Sequence, residues 1–347
     1  MAGKTLIYDV NRQELADTLE KWGEPAYRAN QLWQGIYKNL WANPESLTPF
    51  PKELRMRISE IYTFCHLAPE KVLESSDGET RKILFRVPGG YGVEAVLMRY
   101  QKRRTLCIST QAGCAMACVF CATGQMGFRR HSTSGEIVEQ VLYFARELAK
   151  QGERVTNVVL MGMGEPLHNF EATLFGIDRL NDPEGFRLGA RRFTISTVGL
   201  VPKIRQFTAE NRQIGLAVSL HAADDELRSS MLPINEKYPL DTLMEACREY
   251  VDITKRRITF EWALVRNIND TPEQAQKLCG LIKGMLCHVN VIPLNPTLGY
   301  EGKATTRKRA RAFKEVLDGQ GIPCTIRVRR GIDIQAGCGQ LASSEDI

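Results

Sequence analysis

The stretch TLCISTQAGCAMACVFC, from Thr105 to Cys121, decides the fold. It begins with a short β-rich run and continues into three cysteines spaced C-x3-C-x2-C, namely Cys114, Cys118 and Cys121. Metal sites built from cysteine usually take four protein ligands. Three thiolates can instead hold three irons of a [4Fe–4S] cluster and leave the fourth iron open to an external ligand. The spacing therefore predicts an iron–sulfur cluster directly after a strand.

A zinc site is the alternative for this cysteine cluster. It would need a fourth ligand from elsewhere in the chain, for example His131, and zinc motifs usually come as two C-x2-C knuckles. Five further cysteines have no motif around them, and we expect them to be buried thiols: Cys65, Cys247, Cys279, Cys287 and Cys324.

From residue 105 onward, short apolar runs alternate with longer amphipathic stretches. Strands are predicted at 105–110, 157–164, 191–199, 214–222, 257–265, 288–295 and 324–328. Alternating strands and helices indicate an α/β fold with a parallel sheet and right-handed crossovers. A partial barrel and an open doubly wound sheet both fit this pattern.

The chain divides into three predicted parts. Residues 1–70 carry apolar side chains at helical spacing and form a small helical accessory domain, a candidate RNA contact. Residues 71–104 form a β-hairpin linker, with its turn at Asp77-Gly78. Residues 105–347 hold the α/β unit and the C-terminal cysteine segment. Thr133 and Glu136 suit a capping box at the head of the first long helix of that unit.

Polar residues stand where successive predicted strands end. Glu165, Ser196, Ser219, His221 and Asn295 follow or close four different strands, and the cysteine cluster follows a fifth. Because active sites of parallel α/β folds gather at the carboxyl ends of the strands, we expect these side chains to meet in one site.

Composition sets further bounds. The 347 residues carry a net charge of +6, which permits an acidic partner such as RNA without requiring one. Basic residues come in short groups, including Lys102, Arg103 and Arg104, a candidate RNA-binding patch. We see neither a secretory signal nor an apolar run long enough for a membrane span, so we expect a cytoplasmic protein without membrane attachment.

The C-x3-C-x2-C motif of Cys114, Cys118 and Cys121 resembles that of the radical S-adenosylmethionine (radical SAM) superfamily, which has an aromatic residue where Phe120 stands. In that superfamily the open iron chelates SAM, and electron transfer cleaves SAM to a 5′-deoxyadenosyl radical. GMGEP at 162–166 resembles the superfamily's glycine-rich segment, in which the backbone and Glu165 would meet the amino group of SAM.

The likeness extends along nearly the whole chain. Six segments resemble, in order, those of the RlmN family: CISTQAGCAMACVFCATGQMGF, MGMGEPLHN, ISTVGL, SLHAADDELRSSMLPINEKYPL, VNVIPLNP and GIDIQAGCGQL. This resemblance implies a partial (β/α)6 barrel of radical SAM type with a helical N-terminal domain and a β-hairpin extension. It also implies an RNA methyltransferase that modifies carbon 2 of adenosine in 23S ribosomal RNA and in transfer RNA.

The resemblance assigns roles to individual residues. Cys338 would carry the methyl group taken from a first SAM, Cys107 would release the product by forming a disulfide with Cys338, and Glu94 would accept the carbon 2 proton. A second SAM would supply the radical. The implied contacts to SAM are Gly164, Glu165, Ser196, Ser219, Leu220, His221 and Asn295.

The resemblance also implies partners, and alternative activities stay open beside it. An electron donor such as flavodoxin would reduce the cluster, and we expect a monomer. The sister Cfr type, which methylates adenine carbon 8, has alanine where this chain has Pro166. A different radical SAM enzyme would not need the pair Cys107 and Cys338, and a zinc-stabilised RNA-binding module would hold no iron.

Overall fold

The structure is a computed structural model that describes residues 3–342. Its strands are β1 Thr5–Leu6, β2 Tyr62–Thr63, β3 Ala68–Glu74, β4 Thr80–Arg86, β5 Gly92–Tyr100, β6 Arg103–Cys107, β7 Gln111–Gly113, β8 Phe128–His131, β9 Asn157–Leu160, β10 Phe193–Thr197, β11 Gly215–Ser219, β12 Ile258–Leu264, β13 Cys287–Pro293 and β14 Cys324–Ile326. Its α-helices are α1 Arg12–Lys21, α2 Tyr27–Tyr37, α3 Lys52–Ile61, α4 Ala122–Gln125, α5 Ser134–Ala149, α6 Phe170–Asn181, α7 Val201–Ala209, α8 Asp225–Met231, α9 Leu240–Thr254, α10 Pro272–Leu281 and α11 Arg307–Gly319.

One large sheet organises the molecule. Within residues 3–342 it has ten strands in the order β14-β13-β12-β11-β10-β9-β6-β5-β4-β3. The strands from β14 to β6 pair in parallel, whereas β5, β4 and β3 continue the same sheet in antiparallel fashion. The predicted α/β class with a parallel sheet is confirmed, and the hairpin that turns at Gly78 is an extension of that sheet.

The predicted strands all form, but most end earlier than expected. The run 157–164 ends as a strand at Leu160, and the run 214–222 ends at Ser219. The residues beyond these points turn away from the sheet, and Gly164 and His221 have φ of 97° and 61°. Motif residues therefore occupy the loops at the carboxyl edge of the sheet, where a site is expected.

Local sequence explains the helix starts. Thr133 and Glu136 form the predicted capping box at the beginning of α5, and Asn11 with Glu14 forms another at α1. In the helical N-terminal part, Asp9 accepts hydrogen bonds from Ser134 Oγ (3.0 Å) and from the Gly135 backbone N–H (2.6 Å). The N-terminal helices are thus held against the first turn of α5, next to the loops of the carboxyl edge.

The isolated cysteines follow the prediction with one exception. Cys247, Cys279, Cys287 and Cys324 are buried in the core, as expected. Cys65 is exposed, so the prediction of burial is wrong for this residue. It lies in the connection between β2 and β3.

Candidate active site

A cavity opens at the carboxyl edge of the parallel strands. It encloses about 1050 Å³ of space that is continuous with solvent. The predicted residues that line it are Cys114, Cys118, Cys121, Gly164, Glu165, Ser196, Ser219, His221, Asn295 and Cys338. Segments far apart in sequence therefore meet in one site, as the strand-end argument predicted.

The three clustered cysteines form one wall of this cavity. They lie in the loop between β7 and β8, and Cys121 directly precedes α4. Gly124 lets this loop close, since a Cβ there would lie 2.9 Å from the backbone of Cys118. Burial raises the pKa of Cys114 to about 12, and burial followed by the neighbouring Cys121 and Cys114 sulfurs raises the pKa of Cys118 well above its usual value.

The three cysteines are a fitting donor set for an iron–sulfur cluster with one open iron. Each iron of a [4Fe–4S] cluster takes one thiolate, so three thiolates on one cavity wall leave the fourth iron free for another ligand. Positive iron would also relieve the unfavourable burial of three thiolates.

The GMGEP loop brings backbone close to the cysteine loop. A Cβ on Gly164 would lie 2.5 Å from Cβ of Gln111, and the positive φ of Gly164 also favours glycine. Glu165 is buried, and its carboxylate accepts hydrogen bonds from the backbone N–H groups of Leu167 (3.0 Å) and Val198 (2.8 Å). Burial outweighs these bonds and raises the pKa of Glu165 to about 7. A cationic group in the cavity would stabilise its ionised form.

His221 is a neutral, oriented side chain. Its Nδ1 accepts a hydrogen bond from the Ala263 backbone N–H at 2.9 Å, so the proton of the neutral ring resides on Nε2. Burial, followed by the charge of Arg228, lowers the pKa of His221 to about 3. Its ring packs edge-to-face on Phe120 with centroids 5.0 Å apart. The histidine therefore offers the cavity a fixed hydrogen-bond donor and a flat apolar surface.

Asn295 presents to the cavity a polar atom that has no partner among the described residues. Asn295 Nδ2 donates to the carbonyl of Cys338 at 3.0 Å, but its Oδ1 is buried with no hydrogen bond inside the described chain. The hydroxyls of Ser196 and Ser219 also line the cavity. Because buried polar groups are normally paired, Asn295 Oδ1 marks a place for a ligand donor. The residues thus fit a polar molecule such as SAM beside the cysteine wall.

Leu220 is placed differently from the other expected contacts. Its side chain is fully buried in the main core rather than on the cavity wall, because the chain turns at His221 and directs Leu220 inward. Its backbone is also engaged, since the N–H donates to the carbonyl of Glu261 and the carbonyl accepts from Arg228. The contact between Leu220 and SAM stays a prediction, and the buried side chain leaves it to the backbone at this position.

The two cysteines at positions 107 and 338 come together. Cys107, at the end of β6, packs in a small apolar cluster with Leu341 and Ala342, which directly follow the Cys338 turn. Burial and then the charge of Cys338 raise the pKa of Cys107 to about 12. Cys338 is exposed and lines the cavity. The surrounding protein raises the pKa of Cys338 through desolvation, and the positive charge of Arg327 lowers it.

Glu94 lies on the same face of the sheet as Cys107. It is buried, its Oε1 is 3.0 Å from Nζ of Lys82, and its Oε2 accepts a hydrogen bond from the Ala342 backbone N–H at 2.9 Å. Burial raises the pKa of Glu94, and the ion pair with Lys82 opposes this shift. The carboxylate is therefore beside the C-terminal segment rather than on an exposed strand.

The structure adds polar residues that the sequence did not single out. Arg228 is completely buried and donates to the carbonyls of Leu220 (3.2 Å) and Val198 (2.7 Å), so it fixes the loops after two strands. Glu261 lines the cavity and accepts a hydrogen bond from Asn290 at 2.7 Å. The sequence signal that could have identified Glu261 as a site residue is a single carboxylate inside the apolar run ITFEWAL.

The basic group at the start of β6 is only partly available to RNA. Arg104 pairs with Glu153 and also donates to the carbonyl of Tyr100. Arg103 is exposed and lies over the ring of Tyr100, which Arg330 also covers, at 5.0 and 4.5 Å from the ring centroid. Arg104 thus has a structural contact, whereas Arg103 and Arg330 extend a cationic surface near the C-terminal segment.

Two family models match the chain. Residues 108–279 match the radical SAM superfamily, and residues 5–63 match the ribosomal RNA large subunit methyltransferase N-terminal domain. No helix within residues 3–342 is long and apolar enough to cross a membrane.

Known proteins resemble the chain over almost its full length. It is 50% identical to the dual-specificity RNA methyltransferase RlmN 1 of Myxococcus xanthus, over 97% of this chain and 94% of that protein. It is 47% identical to a probable dual-specificity RNA methyltransferase RlmN of Chloroflexus aurantiacus, over 98% and 93%. A crystal structure of a radical SAM methyltransferase from Sphaerobacter thermophilus superposes with a TM-score of 0.95 at 45% identity, over 97% and 98%. The chain therefore belongs to the RlmN family of radical SAM methyltransferases.

Proposed function

We propose that this enzyme methylates carbon 2 of adenosine in 23S ribosomal RNA and in transfer RNA, through a methyl group carried on Cys338. The observation that supports this most strongly is the proximity of Cys338 and Cys107. They lie 231 positions apart in sequence, which is the difference between 338 and 107. Cys107 packs against the residues that follow Cys338, and Cys338 lines the same cavity as the three clustered cysteines. The full-length relatives are named dual-specificity RNA methyltransferases, which agrees with RNA as the substrate.

Carbon 2 of adenine is electron-poor and cannot attack the methyl group of SAM directly. When bound by Cys114, Cys118 and Cys121, the cluster supplies, with SAM, the methyl group and the hydrogen-abstracting radical that this carbon requires. Glu165, His221 and Asn295 would hold SAM through the polar atoms they present to the cavity.

Cys338 is the nucleophile of the first step. As a thiolate it takes the methyl group by displacement, and its exposure to the cavity gives the incoming group access. Arg327 favours the thiolate, because its positive charge lowers the pKa of Cys338 against the effect of burial.

Glu94 and Cys107 complete the reaction. The S-methyl carbon of Cys338, once it has lost one hydrogen atom to the radical, would bond to carbon 2. Glu94 then accepts the proton that leaves carbon 2, while one electron returns to the reductant side of the reaction. The Cys107 thiolate bonds to the sulfur of Cys338, the bond from that sulfur to carbon breaks, and the released carbon takes up a proton, so the base departs with a methyl group. Reduction of the disulfide restores both thiols, which suits a reducing cytoplasm.

The remaining assignments are proposals of the same kind. Residues 1–70 act as an RNA-holding helical domain, 71–104 as a hairpin linker and 105–347 as the catalytic unit. The hydrogen bonds of Asp9 with the first turn of α5 support a role for the helical part at the carboxyl edge. The target base would have to leave its stack to reach the cavity. A donor such as flavodoxin reduces the cluster, and the enzyme works as a cytoplasmic monomer.

Nucleoside mass spectrometry tests this proposal. Anaerobic, cluster-replete protein is incubated with SAM, a reductant and protein-free ribosomal and transfer RNA, and the digested RNA is searched for methyladenosines. We expect 2-methyladenosine, and its loss in Cys338→Ala. Formation of only 8-methyladenosine would contradict the assignment of the carbon and favour the Cfr-type activity. Absence of both products from protein with an intact cluster would overturn the RNA assignment.

A further inference from the structure

A buried lysine stands next to the site without a role in the reaction described so far. Lys82 lies on β4 and is only 5% exposed. Its Nζ is 3.0 Å from Oε1 of Glu94 and donates to the carbonyl of Gln335 at 3.1 Å. Lysine is rarely buried unless its charge is paired. The pairing with Glu94 satisfies this requirement and places a full positive charge beside the expected proton acceptor.

The same ion pair contacts both ends of one segment. Lys82 holds the carbonyl of Gln335, and Glu94 Oε2 accepts the N–H of Ala342. Cys338 lies between these two points. The middle of the segment is fixed from the other side, since Ala122 N–H donates to the carbonyl of Gly339 at 2.8 Å. Segment 335–342 is therefore fastened at its ends to the antiparallel extension and at its centre to the parallel unit.

The sheet explains why these groups share one face. Lys82 is directly paired with Val96, and Val96 is directly paired with Cys107. Directly opposed residues point to the same side of a sheet, as do residues two apart on a strand, so Glu94 joins this row. The ionisable groups facing Glu94 are Lys82 on β4, Lys71 on β3 and the thiol of Cys107 on β6.

We propose that Lys82 is a positioning residue of the methyl transfer, which keeps Glu94 as a carboxylate and, together with Glu94, holds the segment that presents Cys338. This inference rests on the proposed function, because it assumes that Glu94 accepts the proton of carbon 2. Burial alone disfavours a charged carboxylate, and a protonated Glu94 could not act as a base. The ammonium of Lys82 opposes this effect of burial through a contact that is itself shielded from water.

The pH dependence of methylation separates this role from a merely structural one. A base works only when deprotonated, so activity rises as the pH increases through the pKa of Glu94. Removal of Lys82 raises that pKa, and the acid limb of the profile moves to higher pH. We expect Lys82→Met to lose roughly tenfold or more of the rate at pH 7 and to recover part of it at pH 9, on the scale of a lost general base.

Matched variants make the result specific. Lys82→Arg retains the charge and should keep the acid limb of the wild type. Lys71→Met removes an exposed lysine that makes no hydrogen bond or ion pair with any described residue and whose charge acts on Glu94 more weakly than that of Lys82, so its acid limb should move less than that of Lys82→Met. An equal loss for Lys82→Met at every pH would overturn the proposal, as would an unchanged rate.

A double variant covers the case in which Lys82→Met folds poorly. Glu94→Gln with Lys82→Met leaves neither charge buried alone, which avoids the main cost of breaking such a pair. If Lys82 acts through Glu94, the double variant is no slower than Glu94→Gln. If Lys82→Met lowers the rate of Glu94→Gln by the same factor as it lowers the rate of the wild type, the proposed coupling is refuted.

Hydrogen–deuterium exchange tests the holding of the segment without any turnover. In cluster-replete protein, peptides that cover 335–342 should exchange faster in Lys82→Met than in wild type or Lys71→Met. Unchanged exchange would overturn the proposed fastening. If the wild type formed no methyladenosine, the proposed function would fail, and this measurement would still decide whether Lys82 holds the segment.

Discussion

Asn295 joins the cavity to the segment that bears Cys338, the proposed methyl carrier. Its Nδ2 donates to the carbonyl of Cys338, and its Oδ1 has no partner in residues 3–342. An unpaired buried carbonyl oxygen is costly until a donor reaches it. The ligand that provides this donor should therefore lose affinity when the amide is removed.

Replacing Asn295 with alanine should weaken SAM binding by about tenfold, which corresponds to one hydrogen bond of ordinary net strength. Equilibrium dialysis of SAM against anaerobic, cluster-replete protein measures the effect. Asn39→Ala, an exposed asparagine in the helical N-terminal part, serves as the control and should bind SAM like the wild type. Equal affinities for both variants would exclude Asn295 from the SAM site.

We expect Glu165 to make SAM binding sensitive to pH. Its pKa is raised to about 7 by burial, so much of the population is protonated at pH 6. A cationic ligand favours the carboxylate, and binding should then release a proton and strengthen as the pH rises from 5 to 7. Calorimetry in buffers of different ionisation enthalpy counts the protons. Glu165→Gln should release fewer protons, and an identical count would show that Glu165 does not face the cationic group.

At the scale of elements, the loop after β9 depends on close approach between backbones. Gly164 has a positive φ and lies against the side chain of Gln111, whose Oε1 accepts the N–H of Glu165 at 2.8 Å. Any side chain at position 164 would push the GMGEP loop away from β7. The carboxylate of Glu165 would then move out of the cavity.

Gly164→Ala should destabilise the protein by about 2–3 kcal/mol and reduce SAM affinity, because strain and a clash act together. Gly152→Ala is a matched control, since Gly152 also has a positive φ but has open space where a Cβ would stand. It should show only the cost of the backbone conformation, about 1 kcal/mol. Urea unfolding and SAM titration give both quantities. Equal losses for the two variants would contradict a role for close packing at Gly164.

Local patterns were sufficient to predict the elements that hold the site. The strands, the α5 capping box and the gathering of Glu165, Ser196 and Asn295 at one edge all follow from periodicity and from the rule for parallel sheets. The roles of Cys338 and Cys107 depended on motifs shared with a family, because nothing local distinguishes such a thiol from a buried one.

The sequence could not reveal partnerships between distant residues. Lys82 in the run TRKILFR looks like a solvated strand residue until β5 and the C-terminal segment cover it. Leu220 follows the motif serine but turns into the core. Both outcomes depend on tertiary packing, which periodicity does not contain.

At the scale of the whole molecule, the proposed RNA surface is electrostatic. Arg103 and Lys102 are exposed at the start of β6, and Arg103 shares the ring of Tyr100 with Arg330. Exposed cations of this kind release counterions from RNA on binding, which makes affinity depend on salt.

Removing Lys102 and Arg103 together should weaken RNA binding and reduce the salt slope by about 2, one for each lost phosphate contact. Filter binding of transfer RNA at several salt concentrations measures the slope. Arg205→Ala with Arg212→Ala removes the same charge from residues that pair with acidic side chains on the helical surface, and this variant should keep the slope. Equal slopes for the two double variants would remove Lys102 and Arg103 from the RNA surface.

The most direct test of the proposed mechanism is to trap RNA that is covalently bound to the protein. If Cys107 frees the base from Cys338, then Cys107→Ala, with a replete cluster, SAM and reductant, should accumulate RNA joined covalently to the protein. Nuclease digestion and peptide mass spectrometry should locate an adenosine bound through one carbon to Cys338, and Cys107→Ala with Cys338→Ala should show none. Release of free methylated adenosine by Cys107→Ala at the wild-type rate would contradict the central claim that the two cysteines act as a pair.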